Sequence, residues 1–209
     1  DNNACTTDGP CVNGVCQYTP VVVSGSITKN DVSCNCQESI AGLDPRCVFS
    51  YDNLQHGEFV NTQFAFLGIH VSGNATGHSG ALDTVIVFNS NLSGTPDPDL
   101  EADLGNLLIL PDNITDLNND NIVDVPNDWA GGGSQTFTFD YPHHIESFIF
   151  VDNDQAVPGS ATAYDAFNQV ITSVPIPTTA NGSFVTVNVN ASGVRKFVIS
   201  YNGSGGAIG

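Results

Sequence analysis

Residues 134–142 read SQTFTFDYP, and their alternation of phenylalanine with threonine predicts a β-strand with one apolar face. Phe137 and Phe139 are expected to point into a core while the threonines face outward. Similar runs, separated by Gly, Pro, Asn and Asp, fill the chain from residue 48 onward. They are CVFSYD, FAFLGIHVSG, ALDTVIVFNS, GNLLILP, SQTFTFDYP, IESFIFVDND, SATAYDAFNQVITSVPIP, SFVTVNVNA and VRKFVISYNG.

Helical periodicity is weak throughout the chain. No window holds a convincing 3.6-residue apolar stripe, and DPDLEADLGN is expected to make one helical turn at most. Strands without crossover helices must pair antiparallel. The sequence therefore predicts an all-β fold, an antiparallel β-sandwich of jelly-roll-like form.

The cysteines define a separate N-terminal segment. All six lie within residues 1–47, with the spacing C-x5-C-x4-C-x17-C-x-C-x10-C. An even, clustered set predicts a disulfide framework made in an oxidising compartment, with fifteen connectivities open. A zinc site is the alternative, but no histidine lies among these cysteines. We therefore divide the chain into a Cys-rich module, residues 1–47, and a β-sandwich domain, residues 48–209.

The charge balance restricts the partners. Four Lys and Arg against 22 Asp and Glu give a net charge of −18, which repels phosphate backbones and anionic bilayers and attracts cations. No apolar run approaches the roughly 20 residues of a membrane span. The chain has no methionine, which favours a mature product from which a leader has been cut. We expect a secreted or cell-surface protein that binds no nucleic acid and does not insert into membranes.

Six N-glycosylation sequons support the same compartment. In FVTVNVNAS the valines share one strand face, and Asn188 and Asn190 share the other. A glycan at Asn190 or Asn202 would therefore lie opposite the apolar stripe of its strand. The acceptor residues are Asn74, Asn91, Asn113, Asn181, Asn190 and Asn202.

Residues 116–128, DLNNDNIVDVPND, place an oxygen donor at nearly every second position. A hard cation such as Ca²⁺ takes six to eight oxygen ligands, which alternating acids on a tight loop can supply. The candidate ligands are Asp116, Asn118, Asp120, the Ile122 carbonyl, Asp124 and Asp128. The alternative is a solvated turn rich in Asx residues, and both remain open at this point.

Two further acidic clusters could complete a cation site. GTPDPDLEAD contains Asp97 and Asp99, and VDND contains Asp152 and Asp154 at the end of a predicted strand. If the sandwich brings two clusters to one rim, their mutual repulsion destabilises the fold unless a cation lies between them. This argument predicts structural Ca²⁺.

No residue pattern marks a catalytic group. Serines lack a nucleophile elbow, no cysteine is left over, and no carboxylate pair stands out. We therefore expect a protein that is not an enzyme. The candidates for stacking on a sugar ring are Trp129, Tyr141 and Tyr164, although a half-buried loop tryptophan is the commoner case.

The N-terminal segment, with PCVNGVC and its C-x-C pair, resembles an EGF-like module. That resemblance implies disulfides Cys5–Cys16, Cys11–Cys34 and Cys36–Cys47.

The chain from Phe49 onward resembles a β-sandwich domain of secreted bacterial and algal surface proteins. The matching pieces, in order, are FSYDNLQHGEFV, GIHVSG, VIVFNS, PDPDL, GNLLIL, VPNDWAGGGSQTFTFDY, VDND and GSGGAIG. The resemblance implies a non-catalytic, calcium-stabilised module.

Together these features favour a glycosylated, calcium-stabilised structural or adhesive protein that self-associates into an extracellular filament or matrix. Residues 19–28, TPVVVSGSIT, form an apolar strand without an obvious partner, and could add to a sheet edge of a neighbouring copy. The alternatives are a lectin-like module that binds extracellular polysaccharide and, further off, a polysaccharide hydrolase or lyase.

Overall fold

The computed structural model describes residues 6–12, 15–20, 35–37, 46–78, 83–154, 159–203 and 205–209. The chain divides into two compact units, Asp1–Phe49 and Ser50–Gly209. The boundary lies two residues beyond the one drawn from the cysteines. Within the described residues, no helix is long or apolar enough to cross a membrane.

The first unit contains two short antiparallel ribbons. Strand β1 (Thr6–Val12) pairs with β2 (Val15–Pro20), and β3 (Asn35–Gln37) pairs with β4 (Arg46–Val48). Their registers set Cys11 opposite Cys16 and Cys36 opposite Cys47 along the backbone. Cys5 and Cys34 lie outside the described residues, as do residues 21–28 of the proposed donor strand, so the disulfide pairing and the strand stay predictions.

The second unit is one antiparallel sheet of nine described strands, in the order β11-β10-β12-β9-β13-β8-β7-β5, with β6 paired to β9. The strands are β5 (Phe59–Val60), β6 (Ile69–Ala75), β7 (Val85–Asn89), β8 (Asn106–Ile109), β9 (Gly132–Val151), β10 (Ser160–Tyr164), β11 (Val170–Pro175), β12 (Phe184–Asn202) and β13 (Ala207–Ile208). Two single-turn 3-10 helices, Ala65–Leu67 and Pro98–Leu100, interrupt the described connections. The second is the one helical turn that DPDLEADLGN allowed.

The sheet folds back on itself through its two long strands. Phe148 on β9 pairs with Val187 on β12, and Val187 is ten residues from Phe197 along β12. In an unbent strand, ten residues would separate Val187 from Phe197 by roughly 33 Å. Yet the Phe148 and Phe197 rings meet edge to face with centroids 5.6 Å apart. Register shifts between Asn188 and Lys196 mark the bend. The two halves of the sheet therefore face each other, and the predicted all-β antiparallel sandwich is confirmed.

The core lies between these facing halves. The predicted strands TVIVF and NLLIL are buried on both faces, with Val85–Phe88 and Leu107–Leu110 fully inaccessible to solvent. On β12, Val187 and Val189 are buried while Asn188 and Asn190 are exposed, as the alternation predicted. The apolar residues that pack most closely at one end are Ile86, Phe88, Leu100, Leu107, Ile109, Val123, Val151 and Ala207.

Three predicted strand boundaries were wrong. SQTFTFDYP and IESFIFVDND are one continuous strand that runs through Pro142, and SFVTVNVNA and VRKFVISYNG are likewise one strand. Conversely, SATAYDAFNQVITSVPIP divides into β10 and β11. The turn forms because the Asp165 carboxylate accepts hydrogen bonds from the Phe167 and Gln169 amides and Asn168 adopts a positive φ of 60°.

Candidate functional site

Five of the predicted acidic ligands each lie within electrostatic range of at least one other. Leu100 is fully buried and anchors the loop that presents Asp97 and Asp99, while Pro111 forms a backbone bridge with Asp128. β9 ends at Val151 and delivers the third segment. We name this group the acidic rim; it consists of Asp97, Asp99, Asp128, Asp152 and Asp154.

At the centre of the acidic rim, the Asp128 and Asp97 carboxyl groups are hydrogen-bonded to each other. Burial raises the pKa of Asp128 to about 8, and the hydrogen bond to Asp97 and the negative charges of Asp97 and Asp152 act in the same direction. The backbone N–H of Gly206 donates to Asp128 Oδ2 and partly opposes the rise. Folding therefore favours the protonated form of Asp128, which lowers its repulsion with the neighbouring carboxylates.

Asp152 stands beside this pair and is 6% exposed, with a positive φ of 60°. Burial raises its pKa, and the charges of Asp154, Asp99 and Asp97 raise it further, against one hydrogen bond from the Gly182 amide at 2.8 Å. The positive φ turns the chain directly after β9, and the carboxylate lies within electrostatic range of Asp99 and Asp97. Negative charges from segments far apart in the sequence therefore act on Asp152.

Basic side chains do not offset the charge of the acidic rim. Residues 50–209 contain two, Arg195 and Lys196, both on β12. Arg195 Nε donates to the Phe139 carbonyl at 2.8 Å, and Lys196 Nζ lies 4.1 Å from the centroid of the Tyr164 ring. Both cations are thus engaged elsewhere on the sandwich.

The other five predicted ligands form a separate loop, residues 116–124, that satisfies its own oxygens. Asp116 accepts hydrogen bonds from the Asp120 and Asn121 amides, and Asp120 Oδ1 accepts from the Ile122 amide at 2.9 Å. Asn118 Oδ1 also accepts from the Asp120 amide, at 3.2 Å. Asp124 Oδ2 accepts from Leu117 at 2.8 Å. These hydrogen bonds from backbone amides to Asx side chains form a compact Asx-rich turn.

The acidic rim fits a hard cation by the chemistry of its donors, all of which are oxygens. Among the described residues, however, no three Asp, Glu, His or Cys side chains already converge as a closed metal-ligand set. Burial raises the pKa of Asp128 to about 8, so near neutral pH this carboxyl group keeps its proton in the absence of a cation. Binding a cation requires the release of that proton.

The C-terminal segment is a part of the site that the sequence did not reveal. The Gly206 amide donates to Asp128, and β13 then pairs with both β8 and β9. A Cβ atom on Gly205, which has a φ of +85°, would lie 1.9 Å from Asp128 Oδ2. The close approach explains the glycines of GSGGAIG, which were the only signal in the sequence.

The three aromatic candidates for sugar stacking lie on different elements. The Trp129 indole N–H donates to the Thr76 carbonyl at 3.0 Å, and its ring packs edge to face on His78 with centroids 4.5 Å apart. Lys196 covers the ring of Tyr164. Tyr141 is 56% exposed. Trp129 and Tyr164 therefore take part in internal contacts, and Tyr141 presents the most open ring of the three.

The sequon asparagines lie at the surface of the second unit. Five are exposed, namely Asn74, Asn91, Asn181, Asn190 and Asn202, and Asn113 is half-buried. Asn181 Nδ2 donates to Asp99 Oδ1 at 2.9 Å, which places one sequon beside the acidic rim. Exposure makes these positions accessible to a glycosyltransferase.

The fold and the site together define an antiparallel β-sandwich with an acidic, oxygen-lined rim. No protein-family model matches the sequence, and no curated protein matches it.

Solved structures give three partial similarities at TM-scores of 0.31, 0.29 and 0.29. They are a mutant of the lectin binding domain of Lectinolysin complexed with Lewis b (4% identity), a Streptococcus pneumoniae fucose binding module, SpX-3 (12%), and the enzymatically active domain of Bacteriophage CBA120 tailspike protein 4 (18%). The matches cover 38%, 38% and 74% of this chain and 65%, 66% and 20% of those chains, less than two thirds of each. Similarities this distant and partial do not assign a function.

Proposed function

We propose that the protein is a secreted, N-glycosylated, non-catalytic module of an extracellular filament, matrix or cell surface, and that a divalent cation, Ca²⁺, bridges its acidic rim. The observation that carries the proposal is the Asp97–Asp128 pair beside the buried Asp152. Three carboxyl groups from distant segments interact electrostatically, and the two basic residues of the second unit have other partners.

Asp97, Asp128 and Asp152 are the residues that would hold the cation, and Ca²⁺ would neutralise their charge when bound. Asp128 also binds the Gly206 amide, so its position is coupled to that of β13. A cation at the acidic rim would therefore stabilise the last strand of the sheet as well as the loops. This placement differs from the loop at residues 116–124, whose oxygens already accept hydrogen bonds from their own backbone.

Self-association is coupled to the cation in this proposal. Copies that each carry a net charge of −18 repel one another, and cations that neutralise part of that charge lower the repulsion. The proposed donor segment is residues 19–28, and β11 is the proposed acceptor because it is the last strand in the sheet order. Val170 and Ile171 on β11 are 59% and 39% exposed, which leaves apolar surface for an added strand to cover.

The experiment that tests assembly compares the whole protein with Val22→Pro by light scattering, in Ca²⁺ and in EDTA. Proline removes a backbone donor from the middle of the donor segment, so we expect the variant to remain monomeric in Ca²⁺. The control variant is Leu117→Ala, at an exposed residue of the second unit. Val125→Pro is not suitable as a control because residue 125 precedes a proline. Equal particle size for Val22→Pro and wild type would refute strand donation, and particle size unaffected by EDTA would refute the coupling to a cation.

Carbohydrate binding is the second candidate, and the exposed Tyr141 ring favours it. A glycan array probed with and without chelator tests it. Binding of at least one glycan would support this function, and the absence of binding in both conditions would remove it.

A further inference from the structure

A polar cavity of about 310 Å³ opens on the surface of the second unit, between the segment that leads into β5 and the loop at residues 116–124. Its volume lies at the lower end of the range for small-molecule sites. Four side-chain amides and two carboxylates line it, those of Gln55, Asn61, Gln63, Asn121, Glu58 and Asp120.

The wall of this cavity is held in place by backbone contacts to the core. Gly57 donates to the Val87 carbonyl at 2.8 Å and accepts from the Val123 amide at 2.9 Å. Its φ is +86°, and a Cβ atom there would lie 2.4 Å from the Val123 carbonyl oxygen. The two sides of the cavity therefore approach as closely as a glycine permits, which fixes their separation before any ligand binds.

Side chains on the β5 side are fixed by a second set of hydrogen bonds. Gln63 Nε2 donates to Glu58 Oε1 at 3.2 Å and to the Phe59 carbonyl, and Gln63 Oε1 accepts from the Asn61 amide at 2.8 Å. Glu58 Oε2 accepts from the Gln55 amide at 2.9 Å. Each carboxylate oxygen of Glu58 keeps a lone pair for a further donor.

Two of the side-chain amides at the cavity belong to solvent-exposed residues, Gln55 and Asn121. The side-chain amides of Gln55 and Asn121 make no hydrogen bond to any described residue, although both line the cavity. Each amide offers two N–H donors and a carbonyl acceptor. Phe59 and Ile122 add apolar surface to the same lining.

The amide, carboxylate and apolar side chains of the lining indicate which kind of ligand the cavity can bind. Amides and carboxylates together donate to and accept from hydroxyl groups, and an apolar side chain packs against the C–H face of a sugar ring. Glu58 and Asp120 carry negative charge, and the lining contains no Lys or Arg, so an anionic ligand is repelled. An uncharged, hydroxyl-rich molecule of the size of a sugar unit fits both conditions.

We propose that this cavity binds an uncharged sugar residue, with Gln55 and Asn121 as its specificity-determining hydrogen-bond partners. The proposal deepens the carbohydrate-binding alternative and rests on it, but it does not require a cation at the acidic rim. It also differs from stacking on Tyr141, which lies on β9 and is not part of the cavity lining.

The test uses saturation-transfer NMR and titration of the whole protein with glucose, galactose, mannose, N-acetylglucosamine and glucuronic acid, in Ca²⁺ and in EDTA. The variant is Gln55→Ala/Asn121→Gly, in which glycine preserves the positive φ of 65° at residue 121. The matched control is Gln169→Ala/Asn168→Gly, an exposed pair in the β10–β11 turn with a φ of 60° at residue 168. Loss of two hydrogen-bonding amides is expected to raise Kd by about tenfold or more.

We expect at least one uncharged sugar to bind the wild type and the control pair alike, with affinity lost in the cavity variant and glucuronic acid inactive. Circular-dichroism melting of all three proteins verifies that they fold. Sugar binding that survives unchanged in the cavity variant would overturn this site while leaving carbohydrate binding intact. The proposal would also be overturned if no uncharged sugar bound, or if glucuronic acid bound as tightly as the uncharged sugars.

Discussion

The Asp128 carboxylate accepts a hydrogen bond from the backbone amide of Gly206, and this bond joins the acidic rim to the last strand of the sandwich. Burial and the neighbouring Asp97 raise the pKa of the same carboxyl group to about 8. The protonation state of one side chain is therefore linked to the docking of β13.

The first prediction concerns pH in the absence of divalent cations. The folded-state pKa of Asp128, about 8, is above its ordinary value of 3.8, so folding favours the protonated form. The stability it contributes is complete below about pH 4 and is lost as the pH rises toward 8. Asp128→Asn cannot ionise, so in EDTA its free energy of unfolding should match wild type near pH 4 and exceed it at pH 8.

The size of this difference is on the order of a few kcal/mol, because one pKa unit corresponds to about 1.4 kcal/mol. Urea unfolding of both proteins across this pH range measures it. The pH dependence of the variant must be subtracted from that of wild type, because the two proteins share other titrating groups. Burial lowers the pKa values of His56 and His143, so their contribution to the free energy of unfolding rises with pH near neutrality, opposite to that of Asp128. A difference that stays constant from pH 4 to 8 would show that Asp128 is ionised normally in the fold.

The second prediction tests the contact between Gly205 and the acidic rim. Gly205→Ala should be destabilising by about 2–4 kcal/mol, because the new Cβ meets Asp128 Oδ2 and also strains a positive φ. Gly94→Ala is the matched control, since its φ is +71° with nothing within 4 Å of the added atom. It should cost about 1 kcal/mol from strain alone. Equal losses in denaturant unfolding would mean that the C-terminal segment does not pack on Asp128.

The third prediction tests the folding back of the sheet. Phe148 and Phe197 belong to opposite halves of the sandwich, and their rings meet edge to face. A double-mutant cycle with Phe148→Leu and Phe197→Leu should give a coupling energy of about 0.5–1.5 kcal/mol. Phe137 is the cross-strand partner of Phe197 within the same layer. A second cycle with Phe148→Leu and Phe137→Leu serves as the reference and should give a smaller coupling energy. Additive effects of Phe148→Leu and Phe197→Leu would contradict the two-layer arrangement.

The fourth prediction concerns the sequon beside the acidic rim. The Asn181 amide donates to Asp99, so Asn181→Ala removes a partner of one rim carboxylate. Stability in EDTA should fall by about 0.5–1.5 kcal/mol, while Asn74→Ala, exposed on β6 with a longer hydrogen bond of 3.5 Å to Asp83, should change it less. Thermal melting of the two variants measures the difference, and the reverse order would exclude a role of Asn181 at the rim.

The strand content and the inward faces could be predicted because they depend on local alternation. Phe137, Phe139, Val187 and Val189 are all buried as the period of two requires. The continuity of β9 through Pro142 could not be predicted, because a proline has no backbone N–H to donate and normally ends a strand. Here the register shifts in the pairing with β12 accommodate the missing hydrogen bond. The β10–β11 turn was missed because the Asp165 side chain, rather than a glycine, stabilises it.

The sequence predicted the acidic rim only conditionally, on the assumption that the fold brings two acidic clusters together. The sequence places Asp97 and Asp128 in segments between strand-like runs and Asp152 at the end of one, but tertiary contacts decide whether these segments meet. The bond from Gly206 to Asp128 and the cavity beside Gln55 depend on contacts between segments far apart in the sequence, which no local pattern encodes.

Calorimetric titration of Ca²⁺ at pH 8 into wild type, Asp128→Asn and Asp120→Asn tests the central claim most directly. The cation-bridged rim predicts binding with proton release in wild type and Asp120→Asn, and loss of that binding in Asp128→Asn. No binding heat in wild type, or binding that Asp120→Asn abolishes and Asp128→Asn retains, would contradict it.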